Sequence, residues 1–178
     1  AFFVVALGLR VGSLLLSRHH EARLRARGAV EYGPETSRLL AILHAAVYLG
    51  CVTEGITRGA GIDFTAQVAM GVYAFSLLAL VVVIASLGPL WTVRLLFLPD
   101  HPVQGGWLFR LFRHPNYFLN ILPELVSLIV IYDAWATLAV VFPAYVVTLG
   151  IRILEEERAL RALNRESRRE PAAEEGGE

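Results

Sequence analysis

An apolar run of twenty-five residues, Ala66 to Leu90, constrains this chain more than any other feature. It is long enough to cross a bilayer with some tilt. Within it, Leu77 to Leu87 does not alternate polar and apolar residues, so it does not read as a barrel strand. Hydrocarbon offers the backbone no hydrogen-bond partner, so such a run satisfies its own amides and carbonyls as a helix. Four further apolar blocks follow the same logic: Phe2 to Leu16, Leu39 to Ile56, Tyr117 to Tyr132 and Ala134 to Ile151. The block from Tyr117 is short and broken by Pro123, and Asp133 marks a tight turn after it. The expected fold is all-α: a polytopic membrane helical bundle of about five spans, with a charged cytoplasmic helix running on from the last span to about Arg169.

Composition agrees with this layout. The 178 residues are 56% hydrophobic and 18% charged, whereas a soluble domain carries roughly a quarter charged residues. The charges gather in the connections. Ser17 to Arg38 holds Arg18, His19, His20, Arg23, Arg25, Arg27 and Glu31, and Trp91 to Asn116 holds Arg94, Asp100, His101, Arg110 and Arg113. These two connections and the segment after the fifth block contain nearly all the arginine, and all three lie on one side of a five-span layout. The positive-inside bias makes that side cytoplasmic, with the N-terminus outside. Residues 1–169 read as one domain. The Pro/Ala/Glu/Gly-rich end, Glu170 to Glu178, reads as a disordered tail. Ala1 lies inside an apolar stretch with no basic n-region, which reads as the trimmed start of a span rather than a signal peptide. The single cysteine, Cys51, excludes an internal disulfide and a Cys-based metal site and reads as a buried small hydrophobe. Neither a metal nor a nucleic-acid partner is expected.

Two polar clusters sit at the mouths of apolar blocks. The first is Arg113-His114-Pro115-Asn116-Tyr117. Pro115 in a helix's first turn loses no hydrogen bond and fixes the approach angle of the chain. The free amides there favour an anion, while His114, Asn116 and Tyr117 add donors and aromatic surface. An ordinary basic-aromatic interfacial anchor has the same composition. The second cluster is Arg152-Ile153-Leu154-Glu155-Glu156-Glu157-Arg158-Ala159-Leu160, where Arg152 and Glu155 or Glu156 share a helix face at i, i+3 and i, i+4. A solvated ion pair is the plain reading. Three successive carboxylates beneath a span are neither attracted to an anionic leaflet nor needed for topology. They suit a ligand carrying positive charge and hydroxyl donors, a description that S-adenosylmethionine meets with its sulfonium, ammonium and ribose diol.

Other polar residues are weaker signals. Glu124 lies inside the fourth block, where an ionisable group is a functional candidate or is paired with a neighbouring helix; Arg10 and His44 are the partners available. Gly105-Gly106-Trp107 reads as a hinge or interfacial turn rather than a dinucleotide fingerprint. Ser17 to Gly33 fits either an amphipathic interfacial helix ended by Gly28 or a hydrated loop carrying His19-His20.

The chain resembles the isoprenylcysteine carboxyl methyltransferase family, and within it the small bacterial members. The R-H-P-x-Y segment is Arg113 to Tyr117, and the R-x-x-E-E-x-x-x-L segment is Arg152 to Leu160, with a helical hairpin between them. The first half is similar too: Ser17-Arg18, Ala26 to Gly33, and His44 in the next span. Leu119 stands where many relatives place glycine, and the end after Leu163 lacks their Tyr-rich, Arg-Pro segment. The resemblance implies a membrane-embedded methyltransferase dependent on S-adenosylmethionine, in a bacterial inner membrane, with its cofactor-binding half at 91–169. It implies a cofactor pocket holding His114, Pro115, Asn116 and Tyr117, closed by Glu155 and Glu156, with Arg152 ordering them. The implied acceptor is a lipophilic, membrane-resident oxygen nucleophile: a prenylcysteine-like carboxylate or an alkylpyrone- or alkylresorcinol-like hydroxyl.

Methyl transfer from a sulfonium asks the protein for alignment and desolvation more than covalent chemistry. A carboxylate acceptor needs no base, and Arg113 or Arg152 could orient it. A phenol or enol acceptor gains from a base, for which Glu124 is the candidate. Two other readings keep the fold: an NADPH-dependent enzyme of the sterol-reductase type, and a non-enzymatic membrane scaffold. The acidic run at Glu155 to Glu157 opposes a phosphate-bearing cofactor and is unexplained by a scaffold.

Overall fold

The structure, a computed structural model, describes residues 2–98 and 114–174, with side chains as far as residue 163. Five helices dominate: α1 (Phe2–Ala26), α2 (Pro34–Arg58), α3 (Phe64–Leu87), α4 (Leu122–Ile131) and α5 (Trp135–Glu174). Four apolar stretches are long and apolar enough to cross a membrane: Phe2–Ala26, Pro34–Arg58, Phe64–Leu90 and Trp135–Leu163. The fifth, Asn116–Ile131, is shorter. The all-α membrane bundle read from the sequence is the observed fold.

The helices end where the sequence supplies stops. Gly28 at φ 85 closes α1, with the Ala29 amide bonding Leu24 O and the Gly28 amide bonding Arg25 O, both at 3.0 Å. This paired return is the Schellman motif, which calls for a left-handed residue. Asp133 does the same after α4 at φ 50, its neighbour Ala134 bonding Ile129 O at 2.9 Å. Asp63 caps α3, its carboxylate accepting from the Ala66 amide at 2.7 Å. The Pro123 break takes a specific form: a six-residue π-helical segment, Asn116–Ile121, runs directly into α4. Proline has no amide to return and its ring crowds the preceding turn, which a wider turn accommodates.

Two readings are corrected here. Ser17 to Ala26 is neither a separate interfacial helix nor a loop but the continuation of α1, because Leu, Arg, Glu and Ala keep helix propensity when the apolar run ends. His20 is consequently not hydrated: it is buried, and its Nδ1 lies 2.8 Å from Trp91 O. At the other end, α5 runs on past Arg169 to Glu174.

α3 packs on α4 and α2 packs on α5, with α4 also touching α2. Between them lies a core that includes Val47, Cys51, Tyr73, Leu77, Leu125, Leu128, Ile129, Tyr145 and Leu149. Cys51 is wholly buried, as its surroundings implied. α2 approaches α5 closely because it carries glycine there: a Cβ on Gly50 would stand 2.2 Å from Thr137 Oγ1. Small residues at membrane helix contacts work in this way, since lipid supplies no hydrophobic drive between helices. α1 turns Ala6, Ser13, Ser17, His20 and Leu24 inward and exposes Val4, Val5, Leu7, Leu14 and Leu15.

The sequence pattern did not reveal one element. β1 (Val30–Glu31) and β2 (Leu96–Phe97) pair antiparallel, Val30 opposite Phe97 and Glu31 opposite Leu96. This two-rung ladder ties the segment after α1 to the segment after α3, so both lie at the same end of the bundle.

Candidate functional site at one end of the bundle

The two sequence clusters meet at that end. α4 and α5 are antiparallel across the Asp133 turn, so the chain entering the π-helical segment faces the part of α5 near Glu156. Tyr117 Oη donates to Glu156 Oε2 at 2.9 Å. His114 Nδ1 lies 3.6 Å from Glu156 Oε1, and its Nε2 lies 3.8 Å from Glu157 Oε1. These are ion-pair distances, longer than hydrogen bonds. Among the described residues, both ring nitrogens of this buried imidazole therefore lack a hydrogen-bond partner. Glu156, and after it Glu157, hold the His114 pKa above the ordinary histidine value, while burial opposes them. The ring of Tyr117 stacks on His114 with centroids 5.8 Å apart, and Pro115 is fully buried beside them.

Glu155 takes a different direction from Glu156, as successive residues of one helix must. Its Oε1 accepts from Thr36 Oγ1 at 2.8 Å, at the N-terminus of α2, where a carboxylate meets the positive end of the helix dipole. Its Oε2 is buried without a hydrogen-bond partner. Gly33 makes this approach feasible: it holds φ 57, and a Cβ there would fall 2.0 Å from Glu155 Oε2.

Arg152 is buried, and its guanidinium is directed to the turn before α2. Its Nη1 donates to Ser37 Oγ at 2.8 Å and reaches Tyr32 O and Gly33 O at 3.4 and 3.5 Å; Nη2 reaches Val93 O at 3.3 Å. Among the described residues no ion pair joins it to Glu155 or Glu156. Its fork gathers the turn before α2 and the segment before β2 onto α5, using several donors at once as a guanidinium can. Arg113 and Gly105-Gly106-Trp107 lie outside the described residues.

A second polar cluster lies deeper. Glu124 is wholly buried and ion-paired with Arg10 of α1; Tyr48 of α2 donates to its other oxygen. Tyr48 Oη is 2.9 Å from Tyr73 Oη, and Arg10 Nη2 donates to Asn120 Oδ1 at 2.7 Å. Asn120 Nδ2 donates in turn to Asn116 Oδ1 at 2.9 Å, which links this cluster to the His114 end. His44 Nε2 stands 4.0 Å from Glu124 Oε1. The pairing of Glu124 with Arg10 was foreseeable from their depth. Tyr48, Tyr73 and Asn120 were not singled out, although Asn116, Asn120 and Glu124 repeat at helical spacing in the sequence.

The fold and the paired clusters define a polytopic helical membrane protein whose last two apolar helices present a buried His, a Tyr and acidic groups at one end. A family model described as isoprenylcysteine carboxyl methyltransferase matches residues 67–162, which contain both clusters and Glu124. A protein of Haemophilus influenzae described as uncharacterized is 39% identical over 158 residues, covering 89% of this chain and 92% of that protein. A Bacillus subtilis protein described as uncharacterized protein YpbQ is 24% identical over 154 residues, covering 85% and 89%. No solved structure matches significantly. The chain belongs to the isoprenylcysteine carboxyl methyltransferase family, a family of membrane methyltransferases.

Proposed function

We propose that the protein transfers a methyl group from S-adenosylmethionine to an oxygen of a lipophilic, membrane-resident acceptor, at a site facing the cytoplasm of a bacterial inner membrane. The observation that carries this reading is the buried His114, whose two ring nitrogens lack hydrogen-bond partners among the described residues while two carboxylates face them. Native structures satisfy buried polar groups, so such atoms point to a ligand that completes them. A cofactor with a sulfonium, an ammonium and a ribose diol fits that donor set: acids for the cationic groups and hydroxyls, and His114 and Tyr117 beside them. Phosphate-bearing cofactors fit it poorly, because Glu155, Glu156 and Glu157 would face like charge.

When bound, the cofactor supplies a methyl carbon already activated by its sulfonium. The chain's residues align and desolvate. Glu156 is fixed by Tyr117, Glu155 by Thr36, and Arg152 holds the surrounding turns in place. The acceptor's tail stays in hydrocarbon and its oxygen approaches from between helices. A hydroxyl acceptor loses its proton on methylation, and Glu124 is the carboxylate within the spans placed to take it; a carboxylate acceptor needs no base. Arg113 belongs to the acceptor-orienting proposal only for the latter.

The test is a titration of the detergent-solubilised chain with S-adenosylhomocysteine, repeated on His114→Ala and Glu156→Ala. Micromolar-range binding to the parent and at least about tenfold loss in each variant, roughly 1.4 kcal/mol, is the expected result. Equal affinity in all three removes the pocket assignment.

A further inference from the structure

The cluster around Glu124 is larger than one carboxylate needs for burial. Five apolar segments each contribute: Arg10 from α1, His44 and Tyr48 from α2, Tyr73 from α3, Asn120 and Glu124 around the π-helical turn, and Tyr145 from α5, whose Oη lies 3.4 Å from His44 Nδ1. Polar groups gathered inside a membrane bundle are costly and mark function by default. The cluster lies deeper than the His114 end and is joined to it through Asn120 and Asn116.

The exposure of its members is uneven. The Glu124 side chain is 0% exposed, that of Arg10 16% and that of His44 28%. The cluster is therefore closed on the α3 and α4 side and reached from the α1 and α2 side. Arg10 and His44 border that opening; the Arg10 Nε is itself enclosed, whereas His44 Nε2 stands beyond hydrogen-bond reach of Glu124. His44 and Tyr48 stack with centroids 5.2 Å apart at 25°, which presents a flat aromatic wall beside those groups.

The division of labour follows the chain. Residues 67–162 match the family model and contain His114, Tyr117, Glu155 and Glu156, the residues assigned above to the cofactor. Arg10, His44 and Tyr48 lie before the matched segment. We infer that Arg10, His44 and Tyr48 are specificity-determining residues, forming the acceptor-facing wall of a chamber around Glu124 that receives the head group of a lipophilic acceptor entering between α1 and α2. The head group it fits carries a polar oxygen for His44 Nε2 and a planar portion for the His44–Tyr48 stack. This inference rests on the methyltransferase reading.

The experiment uses the full chain in phosphatidylglycerol-containing nanodiscs with two acceptor probes, pentadecylresorcinol and N-acetyl-S-farnesylcysteine. Transfer from the labelled donor gives kcat/KM for each probe, and S-adenosylhomocysteine affinity is measured separately. In His44→Gln and Tyr48→Phe the ratio of the two kcat/KM values shifts by at least about tenfold, the scale of a changed pocket contact. Cofactor affinity in those variants stays within about twofold of the parent, well under the 1.4 kcal/mol of a decade. Arg10→Lys keeps the charge but changes the shape of the side chain bordering the opening, so it shifts the ratio while retaining the pairing with Glu124. An unchanged ratio in all three variants overturns the inference, as does a parallel loss of cofactor affinity. Transfer to neither probe by a parent chain that binds S-adenosylhomocysteine removes the chamber and leaves the cofactor site. Absence of that binding removes the methyltransferase reading itself.

Discussion

Arg10 on the first helix and Glu124 on the fourth form an ion pair inside the bundle, with the Glu124 side chain wholly shielded. Breaking a buried pair leaves an uncompensated charge and costs about 3–5 kcal/mol, whereas replacing both members by apolar residues is often neutral. The two single variants differ in their escape. A carboxyl left alone can take a proton and become neutral; a guanidinium cannot. Glu124→Met is therefore expected to lower the melting temperature in detergent more than Arg10→Met, and the double variant to recover most of the loss. Equal and additive losses would show that the two side chains do not interact.

Gly33 and Glu155 make a tighter prediction. Gly33 holds a left-handed conformation at φ 57 with the Glu155 carboxylate against its face. Alanine there pays about 1–2 kcal/mol for the backbone conformation alone. Its methyl also displaces the carboxylate from Thr36. Gly33→Ala should destabilise the chain and weaken S-adenosylhomocysteine binding, while Thr36→Val, which loses only the hydroxyl that bonds Glu155, should cost less on both measures. Wild-type stability in Gly33→Ala would contradict the close approach.

Much of this was legible in the sequence because membranes impose a simple rule. Apolar blocks have to be helices of a set length, and Arg-rich connections have to share a side, so the bundle and the common end of its three basic connections follow from counting. The meeting of His114 and Tyr117 with Glu156 was legible for a related reason: both clusters flank one hairpin, and a hairpin brings its ends together. Direction was not legible. Glu155 and Glu156 are adjacent in sequence but 100° apart around a helix, and only packing decides that one serves α2 and the other Tyr117. Tyr48 and Tyr73 resemble the aromatics that every membrane helix carries, so their shared hydrogen bond was hidden. The β1–β2 ladder is two residues long on each side, too short for any alternation to register.

At the opposite end, Glu54 of α2 closes the start of α5. Its carboxylate accepts from the Ala136 amide at 3.0 Å, the Thr137 amide at 2.7 Å and Thr137 Oγ1 at 2.6 Å. The free amides of a helix N-terminus need acceptors, and a carboxylate also meets the dipole favourably. Glu54→Ala should lower the melting temperature and increase hydrogen exchange at Ala136 and Thr137. Glu54→Gln keeps an accepting oxygen without the charge and should fall between. Unchanged exchange in Glu54→Ala would show that other groups cap this helix.

The titration of His114 tests the rim directly. Glu156 first, and Glu157 with it, raise its pKa in the folded chain above the unfolded value of about 6.5. A group whose folded pKa is raised adds stability that is complete below the unfolded pKa and is lost as pH climbs through the folded one. The melting temperature of the parent should therefore fall as pH rises through that window, beyond any change seen in His114→Gln. Imidazole resonances from a chain labelled at histidine should place the His114 midpoint above the ordinary value. Glu156→Gln removes the leading cause and should bring the midpoint down, with Glu157 and burial left to set it. A midpoint that ignores Glu156→Gln would separate His114 from the carboxylate, and the proposed cofactor rim would lose the contact that joins its two sequence clusters.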